Sequence, residues 1–190
     1  KNGEVTTLPG VNTIADGTAV KTPGSNIFPY IKKNLDDIIT VEDDELIVAF
    51  LDMVENHKMI VENSGLLTVA ALKHLGVKDK RVVSILSGGN MDVITMSSVV
   101  QQGLIFRDRI FTVSVLLPDK PGELAKVSQT LADVQGNVIK LEHNQFVTTN
   151  RSAAVELRIT LECFGTEHKE QIIAALEKKG YKPRIVRTMI

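Results

Sequence analysis

The chain has little of several residue types, and each shortage argues against a class of protein. A single cysteine, Cys163, excludes an internal disulfide and fits a reducing cytoplasm. Aromatic residues make up only 4% of the 190 residues and the formal net charge is −1, which disfavours a base-stacking or electrostatic surface for nucleic acid. No apolar run reaches membrane-spanning length, and no signal peptide is visible. We therefore expect a cytoplasmic protein that binds neither nucleic acid nor a membrane.

Few single residues suggest chemistry by themselves. Cys163 lies in an apolar alternation, which favours a buried structural thiol over a nucleophile. The four histidines, His57, His74, His143 and His168, show no metal-ligand spacing with one another or with Cys163. We predict structural or solvent-facing roles for all four and assign no metal ligand.

The first half of the chain mixes loop, helix and strand patterns. Residues 1–30 are rich in Gly, Pro, Thr and Asn and predict a loop. Beyond them, apolar spacing predicts a short strand at 36–41, helices at 42–57 and 65–75, a buried strand at 81–86, and a helix at 91–102 that Gly103 breaks.

One turn in this half suggests a ligand site. The apolar run that ends at Leu86 is followed by Ser87-Gly88-Gly89-Asn90 and then by a helical pattern. In open α/β sheets, ligands bind at the carboxyl ends of strands, and glycines let a backbone approach them closely. The helix N-terminus behind the turn favours an anion, so a phosphate cradle is one interpretation, and a plain strand-to-helix turn is the other.

The second half has a different pattern. Strands are predicted at 110–117, 138–146, 153–162 and 181–186, with helices at 123–135 and 166–179 and a polar hairpin turn at 148–152. The order βαββαβ is that of the ferredoxin-like fold. We expect two domains, 1–104 and 105–190, joined near residues 104–108.

Four segments occur in one order that points to a family: IADGTAV (14–20), GSNIFPYI (24–31), MIVENSGLLTVAAL (59–72) and ILSGGNMDV (85–93). Together they resemble the C-terminal part of a fold-type-II pyridoxal-phosphate catalytic domain, and within that class the threonine ammonia-lyases (threonine dehydratases). A strand, then PDKPGEL (118–124), then a helix that ends in Gly-Asn resembles an ACT domain, an amino-acid-sensing module. The implied fold class is α/β, a catalytic-domain fragment followed by a ferredoxin-like α+β domain.

The resemblance implies roles in a pyridoxal-phosphate site. Ser87 would be the partner of the pyridine nitrogen, and Gly88, Gly89 and Asn90 would shape the turn, because the family holds the phosphate on a separate glycine loop. Glu62 would lie near the cofactor ring; its alternative is a solvent-facing glutamate at a helix start. Asp16 is family-like, with loop packing as its expected role. The Schiff-base lysine and the metal-binding carboxylates of some relatives are expected upstream, so no catalytic residue or metal ligand is assigned here.

The resemblance also implies an effector site in the second half. It would use backbone groups at Asp119, Gly122 and Leu124, with Asn137 and Ile139 opposite, at an interface between domains. Asn137 could instead cap the preceding helix. A branched-chain amino acid is the expected effector, and a homo-oligomer paired through this domain is expected.

The implied reaction of the whole enzyme converts L-threonine to 2-oxobutanoate and ammonia, with L-serine as a second substrate. Without the upstream lysine, the 190-residue chain alone is expected to be inactive. Two alternatives stay open: a non-catalytic amino-acid-binding regulatory module, and a serine dehydratase or racemase of the same fold.

Overall fold

The computed structural model describes residues 3–145 and 155–189. The chain divides into two compact units, Lys1–Gly103 and Leu104–Ile190. Within the described ranges, no helix has both the length and the apolar character needed to cross a membrane.

The first unit is helical where the structure assigns regular elements. After a 3₁₀ turn at Asp16–Thr18, its helices are α1 (Phe28–Asn34), α2 (Asp43–Asp52) with a π-helical extension at Met53–His57, α3 (Leu67–Ala70) between 3₁₀ turns at Asn63–Leu66 and Ala71–His74, and α4 (Val93–Phe106). The predicted helices at 42–57 and 65–75 are thus confirmed as helical runs.

A capping box fixes where α2 begins. The Glu42 side chain accepts the backbone N–H of Glu45, and Glu45 Oε2 accepts the N–H of Glu42 at 2.9 Å. The apolar stripe that follows is buried, with Leu46 and Phe50 almost fully inaccessible. This stripe forms the core of the unit together with Leu66 and Val61.

Two strand predictions in this unit are wrong. Neither 36–41 nor 81–86 forms a strand, and Val83 and Ile85 are 88% and 71% exposed rather than buried. A strand needs a neighbour for its backbone ladder, and the described part of this unit contains no other strand. Side chains hold the second segment instead: Thr68 Oγ1 donates to the Ile85 carbonyl at 2.9 Å and Ser84 Oγ to the Thr68 carbonyl at 3.3 Å.

The predicted break at Gly103 is also wrong, because α4 continues to Phe106. A Cβ atom at Gly103 would lie 3.3–3.4 Å from side-chain atoms of Leu51 and Ile47. The glycine is buried there, and its missing side chain lets α4 pack closely against α2.

The second unit confirms the predicted βαββαβ order. Its elements are β1 (Ile110–Leu117), α5 (Glu123–Asp133), β2 (Asn137–Asn144), β3 (Val155–Glu162), α6 (Thr166–Lys178) and β4 (Arg184–Val186). The strands form one sheet in the order β2-β3-β1-β4, and every pairing is antiparallel. The fourth strand begins later than the predicted residue 181. The predicted turn at 148–152 and the adjoining strand ends lie outside the described residues.

The core of this unit lies between the sheet and its two helices. Val113, Leu157 and Ile159 on the sheet and Leu131 and Ile172 on the helices are fully or almost fully buried. Alternation along β1 and β3 sends every second side chain into this core, which explains the clear strand signal in the sequence.

The Asp108 side chain, just before β1, contacts two residues at the start of α6. One carboxylate oxygen lies 2.6 Å from Lys169 Nζ and the other accepts the Thr166 hydroxyl at 2.9 Å. Both interactions lower the pKa of Asp108, the Lys169 hydrogen bond most. The predicted buried thiol is confirmed next to them, since Cys163 is 2% exposed and its Sγ donates to the Asp108 carbonyl at 2.8 Å.

The histidines have the structural or solvent-facing roles that the sequence predicts. His168 is buried, with Nε2 2.6 Å from the Val134 carbonyl and Nδ1 accepting the Phe164 N–H at 3.1 Å. His74 pairs with Glu45, whereas His57 and His143 are exposed. Among the described residues, no group of three or more His, Cys, Asp or Glu side chains is arranged to hold a metal ion.

Candidate functional site

The Ser87–Asn90 turn is shaped by Gly88. Its φ of +90° lies in the left-handed region that glycine adopts without strain, and its carbonyl accepts the Glu62 N–H at 3.4 Å. A Cβ atom here would lie 2.5 Å from the Glu62 carboxylate. Only glycine therefore permits this close approach between the turn and the Glu62 segment.

Glu62 reaches the turn through its side chain. Its Oε2 accepts the backbone N–H of Asn90 at 3.2 Å, and it makes no side-chain cap to the 3₁₀ turn that follows it. The carboxylate thus faces the Ser87–Asn90 turn rather than serving its own helix start. Three of the residues singled out in the sequence, Glu62, Gly88 and Asn90, are in direct contact.

Ser87 presents its side chain on the surface of this arrangement. The residue is exposed, and its hydroxyl has no hydrogen-bond partner among the described residues. Gly65 holds its backbone in place, because a Cβ atom at Gly65 would lie 2.3 Å from the Ser87 carbonyl oxygen and 2.9 Å from Val61 Cγ1. In the sequence, Gly65 predicts only the start of a helix, and its place in the 59–72 segment is the signal for its contact with Ser87.

An open cleft of about 460 Å³ lies beside the turn. Glu62, Asn90 and Asp16 line it, and Asp16 also accepts the N–H of Gly17 at 2.8 Å as the predicted loop-packing residue. This volume is in the range of small-molecule sites. Of the residues predicted for the cofactor site, Glu62 and Asn90 line this cleft, whereas Ser87, Gly88 and Gly89 do not.

Buried polar atoms without partners mark one wall of this cleft. Asn63 lines it; its Nδ2 donates to the Ile14 carbonyl at 3.0 Å, while its Oδ1 has no partner. The hydroxyl of the neighbouring Ser64 is likewise buried and unpartnered. A buried polar atom without a partner is costly, and of these two residues only Asn63 lines the cleft, so its Oδ1 is the atom available to a ligand there. No spacing pattern in the sequence indicates them.

The charges in the cleft argue against a phosphate cradle. Asp16, Glu62 and Asp92 line it, and no lysine, arginine or histidine of the described residues does. Asp92 also occupies the N-terminus of α4, accepting the N–H groups of Ile94 at 2.9 Å and Thr95 at 3.0 Å. Hydrogen bonding, from the Thr95 hydroxyl first, lowers the pKa of Asp92. An anion at this end of the helix would meet a carboxylate, so the phosphate interpretation loses its physical basis.

In the second unit, Gly122 precedes α5 as its N-cap residue. Its φ is +90°, and no atom lies within 4 Å of the position a Cβ would take. Asp119 is exposed and Leu124 is 39% exposed in the same region. The space beside the Gly122 α-carbon is therefore open, while the Gly122 carbonyl already accepts the Lys126 N–H at 3.1 Å.

Asn137 and Ile139 lie at the start of β2, an edge strand. Asn137 Nδ2 donates to Glu162 Oε2 on the neighbouring strand at 3.0 Å, a cross-strand bond in place of the alternative helix cap. The β2–β3 register shifts between Val138 and Lys140, so Ile139 is the extra residue of a bulge, and it is 45% exposed.

The register places the two halves of the expected effector site at opposite ends of the sheet. Asn137 and Ile110 both pair with Glu162, whereas Gly122 follows the far end of β1, where Leu117 pairs with Val155. An eight-residue strand spans about 25 Å. One domain therefore does not bring Gly122 and Asn137 together on one small ligand.

Comparison with known proteins follows the same division of the chain. Residues 1–88 match the family model described as pyridoxal-phosphate dependent enzyme, and residues 111–180 match the model of the ACT domain. A segment of a pyridoxal-phosphate-dependent enzyme followed by an ACT domain is thus the class of protein in hand.

Individual relatives narrow that class. The chain is 36% identical over 183 residues to an L-threonine ammonia-lyase of Geobacter sulfurreducens, covering 95% of this chain and 46% of that protein. It is 33% identical over 187 residues to an L-threonine ammonia-lyase of Thermotoga maritima, covering 98% and 47%. The chain is thus similar to threonine ammonia-lyases (threonine dehydratases) along almost its whole length, and it spans about half the length of these relatives.

A solved structure gives a limited match. The processed form of threonine deaminase isoform 2 from Solanum lycopersicum aligns with 51% of this chain and 29% of its own, at 29% identity and a TM-score of 0.48.

The residues present fit one edge of pyridoxal phosphate. Ser87 supplies an unpartnered hydroxyl that can donate to a neutral ring nitrogen, and the Gly88–Glu62 contact leaves the turn without side-chain bulk. The absence of cations from the cleft means that its described residues do not hold the phosphate group. The described residues therefore offer a donor for the ring nitrogen and none for the phosphate, and the role of Ser87 as ring partner stays a prediction.

Proposed function

We propose that this chain is the C-terminal part of a cytoplasmic, pyridoxal-phosphate-dependent threonine ammonia-lyase that converts L-threonine to 2-oxobutanoate and ammonia and accepts L-serine less well. Residues 1–104 belong to its catalytic domain and 105–190 to its regulatory ACT domain. The observation that carries the proposal is the unpartnered Ser87 hydroxyl on a turn held by Gly65 and Glu62, in a chain similar to threonine ammonia-lyases along almost its whole length.

The proposed role of these residues is to position the ring of the cofactor. When bound, the cofactor supplies an electron sink for eliminating the β-hydroxyl of the substrate. Ser87 donates its O–H to the ring nitrogen and leaves that nitrogen unprotonated, whereas a carboxylate there would favour the protonated ring. Glu62 holds the turn through the Asn90 N–H, and Gly65 fixes the Ser87 backbone. The open side of the cleft gives room for substrate.

The proposed regulation follows from the sheet register. If two ACT domains pair antiparallel along their β2 edges, the start of β2 in one lies near the end of β2 in the other, which is the Gly122 end of that sheet. Gly122 with Asp119 and Leu124 then faces Asn137 and Ile139 of the second domain. A branched-chain amino acid bound there couples effector binding to homodimer formation.

Substitution of Ser87 tests the site in the protein that includes the upstream segment. Ser87→Ala removes one hydrogen bond to the ring, worth about 1 kcal/mol or somewhat more, so cofactor retention and elimination rate should fall several-fold. Ser97→Ala, which removes an exposed hydroxyl of α4 that does not line the cleft, is the matched control and should leave both unchanged. Equal kinetics and cofactor absorbance in the Ser87→Ala and parent enzymes would refute the assignment.

The chain alone tests where the catalytic lysine lies. Purified residues 1–190 with added pyridoxal phosphate and threonine should release no 2-oxoacid above a protein-free control, because none of its lysines lines the cleft beside Ser87. Turnover by the isolated chain would contradict this. Inactivity of the longer protein as well would favour the non-catalytic, amino-acid-binding alternative.

A further inference from the structure

The second unit leaves one face of its sheet without a helix. On the face opposite the apolar core, the register aligns Thr112, Thr160 and Lys140 in one row and Ser114, Arg158 and Glu142 in the next. We call this surface the open face. It is polar on β1, β2 and β3, and Val186 of β4, which pairs with Thr112, adds an apolar side chain at its edge.

Two hydroxyls form the floor of a cleft on the open face. Thr112 and Thr160 are only 6% and 4% exposed, and their Oγ1 atoms are 2.9 Å apart. One hydrogen bond between two hydroxyls uses one of their two hydrogens, so the other O–H remains free to donate. The cleft above them has a volume of about 140 Å³.

Cations outnumber anions around this cleft. Lys140, Arg158 and Arg187 line it, with Glu142 as its single carboxylate. Lys140 Nζ lies 2.7 Å from Glu142 Oε1, and that hydrogen bond is the main reason that the pKa of Glu142 is lowered. Lys140 is therefore the main partner of the Glu142 charge, with a smaller contribution from Arg158.

The two arginines of the cleft have fewer hydrogen-bond partners than Lys140. Arg158 Nε lies 3.1 Å from Glu156 Oε2, yet the orientation does not make a hydrogen bond and this buried N–H has no other partner. Glu156 Oε1 accepts the Ser114 hydroxyl at 2.7 Å, and Ser114 first and then Arg158 lower the pKa of the Glu156 carboxyl, so the Arg158 charge is paired with Glu156. Arg187 makes no ion pair with any described residue. Arg187 thus lines the cleft without a carboxylate partner among the described residues, together with the O–H that the Thr112–Thr160 pair leaves free.

We propose that this cleft binds a small oxyanion, a phosphate or carboxylate group, between Arg187, Arg158 and the Thr112–Thr160 hydroxyl pair. Guanidinium groups bind such anions through two parallel hydrogen bonds, which suits an uncommitted Arg187. The volume suits a group of that size and excludes a nucleotide. The cleft is distinct from the proposed effector site, because it lies on the open face rather than at the Gly122 loop.

A titration of the 190-residue chain tests the proposal. Isotope-labelled protein is titrated separately with sodium phosphate and sodium acetate, with sodium chloride added to keep the ionic strength constant. We expect saturable NMR shifts of the Thr112, Lys140, Thr160 and Arg187 amides. The anion that saturates at the lower concentration identifies the preferred group, and chloride alone should move none of them.

Substitutions decide whether the anion occupies the cleft. Arg187→Gln should weaken binding about tenfold, the loss of one charge-assisted interaction. Thr160→Val removes the floor hydroxyl and should weaken it several-fold, with circular dichroism confirming the fold. Lys178→Gln, which removes a charge from the end of α6 on the helix side, should bind as the parent does. Unsaturable shifts, equal losses in the Arg187 and Lys178 variants, or parental binding by Thr160→Val would each overturn the proposal.

Discussion

Gly65 shows how one missing side chain positions another residue. Its α-carbon approaches the Ser87 carbonyl so closely that a methyl group there would lie 2.3 Å from the oxygen. We predict that Gly65→Ala destabilises the first unit by roughly 1–3 kcal/mol, since backbone must move to relieve the clash. Urea unfolding followed by circular dichroism measures this.

Gly10 provides the control for that substitution. No atom lies within 4 Å of the position that a methyl group would take there, and its φ is not in the left-handed region. Gly10→Ala should therefore change the unfolding free energy little, within about 0.5 kcal/mol. If both alanine variants unfold alike, the Gly65–Ser87 contact does not constrain the turn.

Cys163 is a second residue whose behaviour follows from its surroundings. Burial raises the pKa of its thiol above the ordinary value, so little thiolate is present near neutral pH. We predict that Ellman's reagent labels the folded chain at pH 7.5 far more slowly than the chain in 6 M guanidinium chloride. Because Cys163 is the only cysteine, one rate reports on one site. Equal rates would mean that the β3–α6 junction opens freely.

At the scale of elements, Glu45 links the start of α2 to the 3₁₀ turn at Ala71–His74. Its Oε1 lies 2.5 Å from Lys73 Nζ and 3.0 Å from His74 Nε2. The Lys73 hydrogen bond, then the Glu42 N–H, then His74 lower the pKa of Glu45 from 4.5 to about 2. A carboxylate whose pKa is depressed by folding stabilises the fold above the unfolded value and loses that effect as pH falls toward the folded value.

The corresponding prediction concerns the acid limb of the stability curve. Glu45→Gln keeps an oxygen for the Glu42 N–H but removes the charge, so its stability should fall less than that of the parent between pH 4.5 and 2. Asp44→Asn, an exposed neighbour in the same helical turn, serves as the control and should retain the parental slope. Chemical denaturation at several pH values measures the slopes, and parallel parent and Glu45→Gln curves would contradict the assignment.

At the scale of the whole molecule, the ACT domain should couple amino-acid binding to self-association. We predict that the 190-residue chain binds isoleucine more tightly than valine, and that isoleucine increases the dimer fraction, because a ligand shared by two domains stabilises their pairing. Calorimetry measures affinity, and sedimentation velocity measures the dimer fraction with and without ligand.

Two glycines with similar φ angles allow an effect on the effector site to be distinguished from the effect of backbone strain. Gly122 and Gly180 have φ values of +90° and +88°, and neither has an atom within 4 Å of its missing Cβ. Gly122→Val and Gly180→Val therefore impose similar backbone strain. Only Gly122→Val should abolish isoleucine binding. If the two variants bound isoleucine equally, or if the parent bound no amino acid, the domain would serve only in self-association.

Local sequence was sufficient for the elements whose partners lie nearby or whose burial repeats regularly. Alternation along β1 and β3, the apolar stripes of α2 and α5, and the turn residues after β1 predicted the second unit and the principal helix of the first. Burial that repeats every 2 residues in a strand or every 3.6 residues in a helix is visible among neighbouring residues, so a short stretch of sequence is enough to predict it. Other short segments, 14–20, 24–31, 59–72 and 85–93, carried the resemblance to threonine ammonia-lyases.

Only the tertiary structure decided features that depend on residues far apart in the chain. The 81–86 segment has a strand-like composition, but the described part of its unit contains no strand to pair with it. Gly103 lies inside α4, where the side chains of Ile47 and Leu51 occupy the space beside its α-carbon. The Glu62–Asn90 bond, the opposite placement of Gly122 and Asn137, and the charged cleft at Arg187 come from register and packing. Such contacts join positions that no local pattern pairs, because close packing in three dimensions selects them.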